Sequence, residues 1–301
     1  MQSGIPGFET RRIDLGEVSL SVHMGGAGET LFLLHGYPQN HMCWAGIAPE
    51  LARSFRVIVP DLRGYGDSDA PADDPEHLTY SKRRMAQDII VLADRLGVHR
   101  FHILGHDRGA RVTYRLALDH PDRVIRVGIV EVIPTADFWR AWNAELAFKA
   151  YHWTFLAQPA PLPERLIGAD PVCYIEQSLR SWTMARTLDV FAPAALDAYR
   201  RQAREPARIA AMCADYRAGA TTDRAIDESD RAVGRKIAAP LMFLCGRHGF
   251  PAQTGNPGAL WKTWADDVRT ATCESGHFAM EENPQAVLDT FLPFFREAVA
   301  G

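Results

Sequence analysis

Leu104-Gly105-His106-Asp107-Arg108-Gly109-Ala110-Arg111 is the stretch that decides how this chain is read. Arg100 to Leu104 before it is a short apolar run suited to a buried strand, and Arg108 to Asp119 after it has helical apolar spacing. Gly105 and Gly109 flank residue 107 symmetrically and permit the tight G-x-nucleophile-x-G elbow between strand and helix. That elbow usually carries serine; here it carries aspartate. A carboxylate attacks saturated carbon or an epoxide far more usefully than an acyl group, so the expected intermediate is an alkyl ester of Asp107. The competing reading makes Asp107 a plain helix N-cap, a role aspartate also fills well.

With 301 residues, 47% of them hydrophobic, the chain can bury a large core. Its net charge of -4 offers no basic stripe for nucleic acid. No run approaches the roughly 18 apolar residues of a membrane span, and Met1 to Val18 lacks a signal-type apolar run, so the expectation is a cytoplasmic protein. Five cysteines, at 43, 173, 213, 245 and 273, show neither disulfide framework nor metal-ligand spacing. No metal and no cofactor is expected. Cys245 and Cys273 read as small core residues.

Strand-like runs occur at Ser19 to His23, Thr30 to His35, Arg56 to Pro60, Phe101 to Gly105, Arg126 to Glu131, Leu241 to Gly246 and Val268 to Cys273. Helical patterns at Cys43 to Ser54, Ser81 to Leu96, Arg108 to Asp119 and Pro284 to Ala300 separate or follow them. This alternation predicts an α/β fold with a mostly parallel sheet covered on both faces. Between Thr135 and Ile237 the alternation gives way to proline-broken helical segments, read as an all-helical cap inserted between strands. The expected division is a core of residues 1–134 and 238–301 and a cap of 135–237. A lid over the carboxyl ends of parallel strands closes the cleft where such sheets bind ligands.

The elbow, the strand order, the position of the insertion and a late histidine together resemble the α/β-hydrolase family over essentially the whole chain. Within that family, Asp107-Arg108-Gly109-Ala110-Arg111 combined with His152-Trp153 and Tyr216 resembles the fluoroacetate dehalogenases. The resemblance implies an ester on Asp107 that water cleaves, with His277 in Glu274-Ser275-Gly276-His277-Phe278 as general base. No carboxylate follows Leu241-Gly246, where many such hydrolases place the orienting acid. Glu131, at the end of the strand before the insertion, takes the alternative acid position, where the resemblance leads one to expect aspartate. The oxyanion donors are expected to be the amides of Arg108 and of Tyr37 in His35-Gly36-Tyr37-Pro38.

Arg108 sits in the first turn of a helix, where the macrodipole disfavours a cation, and Arg111 is its like-charged i+3 neighbour. Two arginines exceed what one nucleophile needs, so a substrate carboxylate is expected as the compensating anion, gripped by the planar guanidinium fork. Arg115, one turn later, reads as a structural surface pair. By the resemblance, His152, Trp153 and Tyr216 supply an imidazole N–H, an indole N–H and a phenol O–H to the departing halide, a poor leaving group whose charge needs several donors. The expected activity is conversion of fluoroacetate to glycolate and fluoride, with a small-molecule haloacetate as the partner. The competing substrates are chloroacetate or larger 2-haloacids, and an epoxide for a hydrolase wanting two cap tyrosines. A non-catalytic receptor would be expected to lose part of this machinery. The family resemblance also suggests a homodimer.

Overall fold

A computed structural model describes residues 4–298; the outermost residues of the expected core, 1–3 and 299–301, lie outside the described residues. One eight-stranded sheet runs through it. In chain order its strands are β1 (Glu9–Asp14), β2 (Ser19–Gly25), β3 (Thr30–Leu34), β4 (Arg56–Pro60), β5 (Phe101–His106), β6 (Val124–Val130), β7 (Leu241–Gly246) and β8 (Val268–Cys273). Their spatial order is β1-β2-β4-β3-β5-β6-β7-β8, with β2 antiparallel to both neighbours and every other pairing parallel.

The central strands β3 and β5 are buried along their whole length, as strands packed on both faces must be. Flanking the sheet are α1 (Ala48–Leu51), α2 (Lys82–Arg95) and α3 (Arg108–Asp119). Ser81 caps α2 through its side chain, which accepts from the Arg84 amide. The run expected as one helix from Cys43 to Ser54 instead forms a 3-10 turn, His41–Trp44, and the short α1. Pro49, in the first turn of α1, has no N–H to carry a continuous helix back through residue 45.

β1 was not expected from the sequence. Its residues, ETRRID, show no apolar alternation because it is an edge strand with neither face fully covered. Pairing with β2 from Glu9↔Met24 to Asp14↔Ser19 is what holds it.

Between β6 and β7 the chain contributes no strand to the sheet. It forms α4 (Thr135–Arg140), α5 (Ala144–Lys149), α6 (His152–Leu156), α7 (Leu162–Gly168), α8 (Pro171–Trp182), α9 (Pro193–Ala203), α10 (Pro206–Ala220) and α11 (Thr222–Ala232). Prolines open α7, α8, α9 and α10 in their first turns, where a missing N–H costs nothing. After β7 come α12 (Pro257–Trp261), α13 (Ala279–Glu282) and α14 (Pro284–Arg296). The helix expected to run to Ala300 ends at Arg296, and Ala300 lies outside the described residues.

Cys245 and Cys273 lie in β7 and β8 and are buried; all five cysteines are free. Among the described residues no helix is long and apolar enough to cross a membrane.

Candidate active site

The reversal of strand order at β3 and β5 places two loop starts side by side. Leu34 pairs with Gly105, so His35-Gly36-Tyr37 and Asp107 leave the sheet as neighbours. On the other side His106 pairs with Val130, which puts Asp107 and Glu131 immediately beyond adjacent strand ends. Both carboxylates sit on left-handed backbone, φ 47° at Asp107 and φ 62° at Glu131, conformations that typically cost about 1–3 kcal/mol each.

The elbow can turn so tightly because its glycines carry no β-carbon. One at Gly109 would overlap the Leu34 and His35 carbonyls, and one at Gly105 would overlap Ala110 and Thr113. The Asp107 side chain makes no cap bond to α3. Its Oδ1 accepts from the Tyr37 amide at 2.8 Å instead, so the N-cap reading falls.

His277, in the turn after β8, stands between the two carboxylates. Its Nε2 lies 3.6 Å from Asp107 Oδ2 and its Nδ1 is 3.4 Å from Glu131 Oε2. The other Glu131 oxygen accepts from the Gly246 amide. His277 is held from behind as well: its amide donates to the Trp182 carbonyl at 2.9 Å, and its carbonyl accepts from His106 Nε2 at 2.7 Å.

Burial alone would depress the His277 imidazole, but hydrogen bonds and charge from Asp107 and Glu131 outweigh it and raise the pKa to about 9. Burial pushes Asp107 upward, and the contacts with His277, His106 and Arg108 more than reverse this, holding it well below the usual carboxylate range. For Glu131 burial prevails and the pKa is raised. His277 is therefore an imidazolium beside an ionised Asp107.

Asp107, Arg111, Glu131, His152, Trp153 and His277 line one small cavity, closed by Phe138 and Phe250. Its volume is about 10 Å³ for the centre of a water molecule, roughly room for one. Arg111 donates through Nη1 to the Ile133 carbonyl and Thr135 Oγ1, both at 3.0 Å, while its buried Nε has no partner. It makes no ion pair among the described residues. Trp153 lies under the Arg111 guanidinium, 4.6 Å from Cζ to the ring centre, and stacks on Phe138 at 4.4 Å. His152 is driven by burial to a pKa of about 3 and is neutral; its Nδ1 has no partner.

Arg108, Tyr37 and Tyr216 gather beside this cavity but do not line it. Tyr216 packs 5.2 Å from Tyr37, 5.4 Å from His152 and 5.7 Å from Trp153 between ring centres. Arg108 corrects the charge argument made from sequence. Its compensating anion is supplied by the protein itself: Asp215 of α10 accepts from Nε at 3.0 Å and from Nη2. Of the two, Arg111 is the one left without a carboxylate among the described residues. Arg115 pairs with Asp119, Asp227 and Asp230, and is buried, not superficial.

Sequence reasoning named Phe250 as a residue on which the pocket volume depends, and it lines the cavity; it missed Asp215, Phe138 and the His106 bond. Asp215 had one available signal, since it adjoins Tyr216; Phe138 had none.

One other cluster could in principle hold a metal: His23, His41 and Asp61, all buried. Asp61 Oδ1 already accepts from both the amide and Nδ1 of His41 at 2.8 Å, and Oδ2 accepts from the Asp67 amide at 3.0 Å. The His23 and His41 rings are stacked at 3.6 Å, and the His23 nitrogens already bond Thr10 Oγ1 at 3.0 Å and Ser21 Oγ at 3.4 Å. The cluster fixes the loop that follows Tyr37.

A buried aspartate at a strand-to-helix elbow, a histidine after the last strand and helices inserted across the sheet end define an α/β hydrolase. The family model for the α/β-hydrolase fold matches residues 29–284, and the chain belongs to that family. It is 41% identical over 295 residues to a fluoroacetate dehalogenase from Burkholderia sp, covering 98% of this chain and 96% of the relative. It is also 32% identical over 272 residues to a soluble epoxide hydrolase from Corynebacterium sp. (strain C12), covering 90% and 91%. Among solved structures, ALR0039 from Nostoc sp PCC 7120 superposes with a TM-score of 0.93 at 43% identity, covering 97% of this chain and 99% of that one.

Proposed function

We propose that this chain is a hydrolytic dehalogenase of haloacetates, with fluoroacetate as a substrate. The observation that carries the reading is Arg111: a buried guanidinium with no carboxylate of its own, sharing a one-water cavity with a carboxylate nucleophile. An arginine in that state stabilises an anion brought in from outside. The similarity to a fluoroacetate dehalogenase supports the same conclusion.

In this reading residues 135–237 are the cap and residues 1–134 and 238–301 the core. Arg111, with Arg108 beside it, holds the substrate carboxylate. One Asp107 oxygen displaces halide from the α-carbon: a carbon–oxygen bond forms as the carbon–halogen bond breaks, and the bonding pair leaves with the halide. His152, Trp153 and Tyr216 meet that charge with N–H and O–H donors.

Alkylation removes the negative charge that raised His277. The ring, still held by Glu131, then gives its proton to solvent and takes one from a water that attacks the Asp107 ester carbonyl. The Tyr37 and Arg108 amides hold the developing oxyanion, a contact typically worth about 3 kcal/mol per donor. Collapse expels glycolate, whose alkoxide oxygen takes the proton held by His277, and the proton left on the new carboxyl passes to the ring, which restores the aspartate.

An epoxide hydrolase is the second reading, favoured by the Corynebacterium relative. Against it stands Arg111, buried beside Asp107 with its Nε unpartnered, which an uncharged epoxide leaves without an anion. Incubation with fluoroacetate, chloroacetate and styrene oxide separates the two. Free fluoride and chloride are expected with no diol; diol without halide overturns the proposal.

A further inference from the structure

Beside the nucleophile lies a buried ion network that joins the helical insertion to the core. Asp215 of α10 is fully buried and accepts from four groups: Arg108 Nε and Nη2, Lys82 Nζ and, at 2.9 Å, the Tyr65 hydroxyl. Lys82 begins α2 and also faces Asp223 of α11 at 3.8 Å. The Asp215 carbonyl takes a further bond from Arg108 Nη2 at 2.7 Å.

Three residues of α10 shape the place of the Arg108 guanidinium. Asp215 takes the edge of the guanidinium and Tyr216 covers its face, with Cζ 4.4 Å from the ring centre. Gly219, one turn on, leaves it room: a β-carbon there would come within 2.9 Å of Nη2 and 3.2 Å of Nη1. The result is that Nε and Nη2 are occupied, while Nη1 is buried with no partner.

We propose that Asp215 is a positioning residue for anion recognition: it clamps Arg108 so that Nη1 is the donor left for the substrate carboxylate, complementing Arg111. Lys82 offsets the second share of the Asp215 charge, which keeps the clamp from cancelling the arginine. This rests on the carboxylate-binding reading above.

The test is calorimetric binding of acetate, with uncharged acetamide as control, to the full chain and to its Asp215→Asn and Gly219→Ala variants. Gly219→Ala disturbs the guanidinium from the opposite side with a good helix former, so it guards against a folding failure of the first variant. Both variants are expected to bind acetate at least about tenfold more weakly, the scale of one charged hydrogen bond, with acetamide unchanged. Unchanged acetate affinity in both variants overturns the proposal, as does equal weakening for acetate and acetamide. Failure of the unaltered chain to bind acetate overturns it too; halide release from haloacetates by that same chain then shows whether the dehalogenase reading stands alone.

Discussion

The carboxylate of Glu131 occupies the space that a β-carbon at residue 249 would fill, and residue 249 is glycine. A β-carbon built there would overlap Oε2. Gly249 lies in the loop after β7, where the orienting acid of many hydrolases of this fold stands. The vacated side-chain position admits an acid one methylene longer than expected, from the neighbouring strand.

Gly249→Ala should therefore push Glu131 off His277. Halide release in the first turnover is expected to persist, while later turnovers slow by roughly one to two orders of magnitude, the cost of misplacing a catalytic group by about an ångström. Glu131→Asp in the Gly249→Ala background should recover part of that loss, because the shorter acid withdraws from the new methyl. Rapid-quench measurement of halide and glycolate resolves the two phases. No recovery in the double variant would refute the coupling.

Asp107→Asn should abolish halide release. His277→Asn should release about one equivalent and then stop, leaving the carboxymethyl ester on the protein. Intact-protein mass spectrometry after incubation with fluoroacetate reads both. Repeated turnover by the histidine variant would remove His277 from its role.

The raised pKa of His277 links stability to pH. Its folded value of about 9 exceeds the unfolded 6.5, so the stabilisation is fully present below about pH 6.5 and is lost as pH rises through 9. The shift corresponds to at most about 3 kcal/mol. Denaturant midpoints of the native chain should fall across that window relative to those of His277→Gln. Parallel curves for the two proteins would contradict an imidazolium held between Asp107 and Glu131.

Trp153→Phe keeps a ring beneath Arg111 and on Phe138 but deletes the indole N–H. Fluoroacetate turnover should fall about tenfold further than chloroacetate turnover, since fluoride gains more from each donor in a site shielded from water. Equal losses would mean that the tryptophan serves packing alone.

Much of this site is legible in the chain because its signals are local. The elbow needs glycines at 105 and 109, the HGYP loop follows a buried apolar strand, and His277 follows the last one. The charge frustration of Arg108 and Arg111 is also local, being a matter of helix position and spacing. Its resolution is not: Asp215 is 107 residues from Arg108, and nothing in either segment says that they meet. The fit of Glu131 against Gly249 is hidden for the same reason.

Residue order by itself determined seven of the eight strands, the proposed nucleophile and base and the place of the helical insertion, since backbone turn sterics and hydrophobic periodicity act over a few neighbours. Tertiary structure alone decided which arginine keeps a free charge, how a longer acid reaches the histidine and how small the cavity is. Those depend on close packing and on low-dielectric pairing between distant segments, where a shift of an ångström changes the partner.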